Sequence, residues 1–202
     1  MKRVKDHYFH KAKKEKYPAR SVYKLEEAQK KYGFLKKGFK ILDLGCHPGS
    51  WSMYASKVVG PQGKVVGVDF KKSNARAGAG MAPLEFFQLD IFSDDSPEKI
   101  KQEGPFQGVI SDLAPRTTGN KFIDHVRSVE LVERALTIAT RVLVQDGFFY
   151  CKLFQGEDFQ PFVDKLNNIF RKVRTVKPKS SRGESREVFT LGTGYMLRTK
   201  ED

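Results

Sequence analysis

Cysteine is scarce in this 202-residue chain: only Cys46 and Cys151 occur, far apart, each inside an apolar stretch and with no Cys-x-x-Cys spacing. That argues against a disulfide-framed scaffold or a cysteine zinc site and makes reduced, structural thiols the expectation. The four histidines, at positions 7, 10, 47 and 125, have no ligand spacing, so no metal is expected. Long apolar runs are also missing. None approaches the ~18 residues of a membrane-spanning helix, and the opening MKRVKDHYFHKAKKEK carries charge without the apolar segment of a signal peptide. No membrane association and a cytoplasmic location are therefore expected. Neither G-x-G-x-x-G nor G-K-[ST] occurs, which disfavours a dinucleotide pyrophosphate site and excludes a P-loop. Negative charge is in deficit as well, with 24 Asp and Glu against 37 Lys and Arg.

What is present is a globular composition, 39% hydrophobic with 16 Phe, too apolar for intrinsic disorder. The length suits one domain, residues 1–202, able to bury a core without staples. The net charge of +13 is unevenly distributed. Fourteen Lys and Arg stand against four acids in the first forty residues, which leaves the remaining 162 nearly balanced. Tyr8, Phe9, Tyr17 and Tyr23 are interleaved with these cations, a mixture suited to phosphates and unstacked bases. A basic RNA-binding arm and helix at about 1–38 is the reading; a solubilising tail is the plainer alternative. A second cluster comprises Arg171, Lys172, Arg174, Lys177, Lys179, Arg182 and Arg186. If the fold joins the two, they form one nucleic-acid face.

Short apolar runs alternating with helical periodicity give an α/β domain, a mostly parallel doubly wound sheet of Rossmann-like type with an antiparallel strand near the C-terminus. Strands are predicted at 41–44, 65–69, 86–89, 109–112 and 148–154, with a closing pair at 173–176 and 188–197. Phe122, Val126, Val129, Val132, Leu136, Ala139 and Leu143 recur at helical spacing and predict a long amphipathic helix; Phe159, Phe162, Leu166 and Ile169 predict a shorter one.

The strand at 41–44 runs into a turn containing Gly45, Pro48 and Gly49, then a helix beginning near Ser50. Glycine there lets backbone approach a ligand, and the helix start favours electronegative groups. Asp43, Asp69, Asp90 and Asp112 all fall at the carboxyl ends of predicted strands, the edge where open α/β sheets bind ligands. One such Asp is ordinarily a cap or turn residue. Four together suit a ligand with a sugar, an amino group and positive charge. S-Adenosyl-L-methionine fits, with Asp69 facing ribose hydroxyls and Asp90 the adenine amino group. Trp51 either packs on the cofactor or covers the sheet. Lys152 lies within Phe-Phe-Tyr-Cys-Lys-Leu-Phe, where a lysine is costly to bury without a partner or a purpose. Lys24 and Glu187, taken alone, read as ordinary surface residues.

The segments Arg20-Ser-Val-Tyr-Lys24-Leu, DLGCHPGSWS, Ser111-Asp-Leu-Ala-Pro115, Lys152-Leu-Phe-Gln-Gly-Glu157 and Ser185-Arg-Glu-Val188, in this order, resemble the FtsJ/RrmJ family of S-adenosylmethionine-dependent ribosomal RNA 2′-O-ribose methyltransferases. The resemblance spans about residues 8–198. It implies a catalytic tetrad of Lys24, Asp112, Lys152 and Glu187, and cofactor contacts at Gly49, Trp51, Asp69, Asp90 and Asp112. It implies methylation of a uridine ribose in large-subunit (23S) ribosomal RNA, carried out on an assembled or assembling subunit, by a monomer. Methylation of a tRNA anticodon loop and a non-catalytic RNA-binding module are the alternatives. Cys-His-Pro-Gly-Ser stands where type members have Ala-Ala-Pro-Gly-Gly, which keeps Pro48 and Gly49. Independently of the family, a ribose 2′-hydroxyl needs its proton removed and its oxygen aligned with the methyl donor. A lysine can remove that proton only as the free amine, and a sulfonium nearby opposes the ammonium form while carboxylates favour it.

Overall fold

The computed structural model describes residues 3–115, 118–181 and 185–197. Arg182 and Lys2 of the two basic clusters lie outside them. The elements in chain order are α1 (Arg3–Lys14), α2 (Val22–Tyr32), β1 (Lys40–Leu44), α3 (Ser50–Val59), β2 (Lys64–Asp69), β3 (Leu84–Gln88), α4 (Ser96–Gln102), β4 (Phe106–Ser111), α5 (Lys121–Val142), β5 (Leu143–Phe154), α6 (Phe159–Asn167), β6 (Phe170–Val176) and β7 (Glu187–Tyr195). The strands form one sheet in the order β3-β2-β1-β4-β5-β7-β6. β2 and β4 flank β1 in parallel, β3 and β5 extend the parallel set, and β7 runs antiparallel to both β5 and β6. The expected α/β sheet with an antiparallel strand near its end is thus present.

Alternation along each buried strand supplies two cores. Leu42, Leu44, Val66, Val68, Val109, Phe149, Cys151 and Leu153 point to one face, where they meet α5 and α6 through Leu136, Ala139, Phe162 and Leu166. Ile41, Val65, Ile110, Phe148, Tyr150, Phe189 and Leu191 point to the other and meet α1, α2 and α3 through Ala12, Val22, Leu25, Trp51 and Ala55. The second face is rich in aromatic contacts: Tyr150 and Phe189 stack with centroids 5.3 Å apart, and Trp51 stacks on Tyr150 at 5.5 Å.

Several boundaries move relative to the sequence reading. α4, seven residues opening on Ser96-Pro97, was not foreseen, and β5 begins at Leu143, directly off the end of α5. The predicted stripe of the long helix is buried from Val132 onward, but Phe122 and Val126 are 73% and 46% exposed. In those first turns the buried side chains are polar: Asp124, His125 and Ser128. α1 is no free arm. Ala12 is buried, and Tyr8 and Tyr17 pack against the second core.

Candidate functional site

The parallel strands deliver four carboxylates to one edge. Asp43 is the fourth residue of β1, Asp69 ends β2, Asp90 follows β3, and Asp112 directly follows β4. Asp69 is held from both sides, Oδ2 accepting from the His47 amide at 3.0 Å and Oδ1 from the Lys71 amide at 2.8 Å. Asp90 Oδ1 accepts from the Phe92 amide at 2.9 Å. Each of these carboxylates retains lone pairs for a ligand. Asp69 and Asp90 border a cavity of about 250 Å³ whose walls include Phe70, Leu89, Ile91 and Leu113. Apolar walls with two fixed acceptors are what a flat heterocycle joined to a sugar requires.

Asp43 is different in kind. It is fully buried, its Oδ2 accepts from the Ser52 hydroxyl at 2.6 Å, and among the described residues its Oδ1 has no partner. Burial, followed by the nearby charges of Asp112 and Asp69, pushes its carboxyl up to about 7 against the relief given by Ser52. The edge therefore carries mutually repelling acids, which a cationic ligand would stabilise.

Register brings the other groups to the same place. In the antiparallel pair of β5 and β7, Lys152 stands opposite Phe189 and Phe154 opposite Glu187, so Lys152 and Glu187 share the face covered by α2. Lys152 Nζ donates to Asp112 Oδ1 at 2.9 Å and to the Asp112 carbonyl at 2.8 Å. Lys24 Nζ donates to Glu187 Oε2 at 2.8 Å and lies 5.7 Å from the centroid of the Phe189 ring. Lys24, predicted to be solvated if taken alone, has a side chain only 12% exposed; that of Lys152 is 5% exposed. Two ion pairs thus sit on one face of the sheet, about the cross-strand pair of Lys152 and Phe189. Beside the second is a cavity of about 300 Å³ lined by Arg20, Ser21, Lys24, Ser185 and Glu187.

Two further residues named from the sequence, Trp51 and Gly49, are fixed by neighbours within the fold. Trp51 is 3% exposed, stacks on Tyr150 and donates its indole N–H to the Ser21 carbonyl at 2.9 Å. Both of its ring contacts, to Tyr150 and Phe189, are internal. Gly49 has φ +108, and a Cβ there would lie 2.4 Å from Ala75 Cβ and 2.9 Å from Ser73 Oγ. Its glycine is required by the crossing of residues 73–75, whatever else approaches it.

With this geometry in view, comparison with known proteins is decisive. The model of the FtsJ-like methyltransferase family matches residues 17–195. The chain belongs to that family. This methyltransferase is 50% identical over 196 residues to "Ribosomal RNA large subunit methyltransferase E" of Desulfotalea psychrophila, covering 96% of this chain and 98% of that protein. It is 45% identical over 204 residues to the protein of that name from Nitratidesulfovibrio vulgaris (strain DSM 19637 / Miyazaki F), covering both in full. Among solved structures, a ribosomal RNA methyltransferase of Plasmodium falciparum superposes with a TM-score of 0.75 at 28% identity, over 90% of this chain and 100% of that one.

Around these strand ends lie further polar residues that pattern did not single out. Tyr150 donates from its hydroxyl to the Lys24 carbonyl at 3.3 Å and so fixes α2 against β5. The polar start of α5 holds both loops leaving the strand edge. Asp124 accepts from the Thr118 amide and hydroxyl and the Gly119 amide, bonds that hold its carboxyl below the ordinary range. His125 Nε2 meets Asp158 Oδ2 at 2.9 Å, and Ser128 Oγ accepts from the Phe154 amide at 3.2 Å. The signal was present as Asp124-His125 and Ser128 in an otherwise apolar stripe, but helical periodicity reads such residues as the solvent face.

Proposed function

We propose that this methyltransferase transfers a methyl group from S-adenosyl-L-methionine to the ribose 2′-oxygen of a uridine in large-subunit ribosomal RNA, acting in the cytoplasm. The observation that carries the reading is the pairing of Lys152 with Asp112 and of Lys24 with Glu187 on one face of the sheet, beside a carboxylate-lined cavity. The relatives' name supports the RNA class. When bound, S-adenosyl-L-methionine would supply an activated methyl group carried on a sulfonium.

The residues present fit that cofactor. Asp69 would take the ribose hydroxyls and Asp90 the adenine amino group. The unpartnered, repelled Asp43 and the neighbouring Asp112 make the edge favourable to its positive charge. Lys152, as the free amine, takes the proton of the 2′-hydroxyl, and Asp112 holds the resulting ammonium through the contact already formed. That contact also fixes the lysine's direction, so the proton acceptor is positioned before the RNA arrives. Glu187 and Lys24, facing the cavity of about 300 Å³, orient the ribose and balance charge.

The test is to incubate the protein with methyl-labelled S-adenosyl-L-methionine and, separately, free ribosomal RNA, unmethylated large subunits and tRNA. Modified riboses are mapped by resistance to alkaline hydrolysis. Label in a ribose of large-subunit RNA is expected. Label in bases or in protein, or in tRNA alone, overturns the assignment. Lys152→Met should bind cofactor as the wild type does and lose at least about 100-fold in rate, the lower end of what general-base catalysis contributes.

A further inference from the structure

The two basic clusters, which the sequence separates by more than a hundred residues, form opposite walls of one groove of about 570 Å³. Tyr8, Lys11, Lys30 and Lys31 from α1 and α2 line one side; Lys177 and Lys179, just past β6, line the other. The groove also contains two acids, but both are engaged. Glu26 pairs with Lys30 and Lys11. Glu27 accepts from the Lys179 amide at 2.6 Å and the Ser180 amide at 3.0 Å, tying the walls together at their base. Lys30, Lys31, Lys177 and Lys179 are exposed along the rim. Tyr8 packs against Tyr23, with centroids 5.3 Å apart.

Arg20 joins this groove to the site. Its Nη2 donates to the Ser180 carbonyl at 2.9 Å, its guanidinium lies 5.9 Å from the Tyr8 centroid, and it lines the cavity that holds Lys24 and Glu187. From Arg20 to Lys31 the chain rises about 16 Å at helical geometry, room for a short run of nucleotides. Cations on both rims with an aromatic ring on one wall match a single strand, whose phosphates and unstacked bases are both exposed; a duplex hides its base faces.

We propose that this groove is a subsite for single-stranded RNA next to the methylated nucleotide, with phosphates on Lys30, Lys31, Lys177 and Lys179 and a base against Tyr8. The inference rests on the RNA substrate proposed above and gives it a direction: the strand leaves the ribose cavity past Arg20 and runs between α2 and the segment following β6.

The test pairs Lys31→Glu with Lys179→Glu in the full chain, with Lys101→Glu on α4, across the sheet, as control. The first readout is binding of a ~12-nucleotide single-stranded oligoribonucleotide as a function of salt. The second is KM and kcat on unmethylated large subunits. The paired variant should bind the oligonucleotide at least about tenfold more weakly, with a salt slope smaller by about 1.4 for two lost phosphate contacts. KM should rise by a similar factor, with kcat and cofactor affinity unchanged, and the Lys101→Glu variant should match the wild type. A 4-thiouridine oligonucleotide should cross-link to the peptide containing Tyr8. Binding within twofold of wild type, equal weakening by Lys101→Glu, or cross-links confined to other elements would overturn the subsite. If the wild type methylates no RNA but the paired variant still loses oligonucleotide binding, the proposed activity falls and the groove stands. If the wild type methylates large subunits and the paired variant is unaffected, only the groove falls.

Discussion

Asp43 shows how one residue can record the electrostatics of the whole edge. Its carboxyl, buried and repelled, is held up to about 7, so between about 4 and 7 it stays protonated in the folded protein while the unfolded chain is ionised. The folded state then binds more protons, and stability falls as pH rises through that window. Asp43→Asn keeps the acceptor for Ser52 and places an amide where Oδ1 has no partner. The variant should lose this part of the pH dependence, and urea unfolding from pH 4 to pH 7 should show a flatter profile than wild type. A parallel slope in both proteins would assign the dependence to other groups. Lys152 was legible as a residue because a lysine amid six apolar neighbours has few structural excuses. Lys24 was not, since its burial depends on Glu187, which is 163 positions away. Only the ordered motifs of a family could supply that pairing from sequence.

At the scale of elements, the turn between β5 and α6 is packed against His125 of α5. A Cβ on Gly156 would lie 2.3 Å from His125 Cε1, and the same imidazole bonds Asp158 at the start of α6. Gly156→Ala should therefore push α5 away from the segment that follows Lys152. A cost of about 1–3 kcal/mol is expected from overpacking, with kcat lowered more than cofactor affinity. The double variant Gly156→Ala/His125→Ala, which removes the obstructing ring, should recover activity over the single variant. Failure of that rescue in a methylation assay would show that the glycine matters for another reason. The strands themselves were legible because parallel strands covered on both faces read as continuous apolar runs. The insertion of β7 between β5 and β6 was not, since no local pattern states which strand pairs with which. That order is nonetheless what places Glu187 two residues along from the partner of Lys152.

For the molecule as a whole, the excess of positive charge raises the question whether α1 is a detachable appendage or part of the domain. Ala12 is buried, Tyr8 and Tyr17 pack on the second core, and the Tyr23 hydroxyl donates to Glu15 Oε2 at 3.1 Å. Deleting residues 1–16 would uncover Tyr23 as well as remove cations, so weakened RNA binding in that truncation would be ambiguous. A cleaner separation uses Lys13→Gln with Lys14→Gln, two exposed residues in the last turn of α1 that line no cavity described here. Their loss costs at most about 1 kcal/mol each through the helix dipole, or about 2–4 °C in Tm per kcal/mol for a chain of this length. The truncation should melt several degrees lower than this variant. If the arm acts through its field, the paired variant should associate with RNA more slowly at low salt, dissociate at nearly the wild-type rate, and converge with wild type as salt rises. A change confined to the dissociation rate would instead mean that Lys13 and Lys14 touch the bound RNA directly, extending the contact surface beyond the groove. In both cases cofactor affinity should not move, because the carboxylates that would hold the cofactor stand at the strand ends of β1 to β4, while α1 packs against the aromatic face.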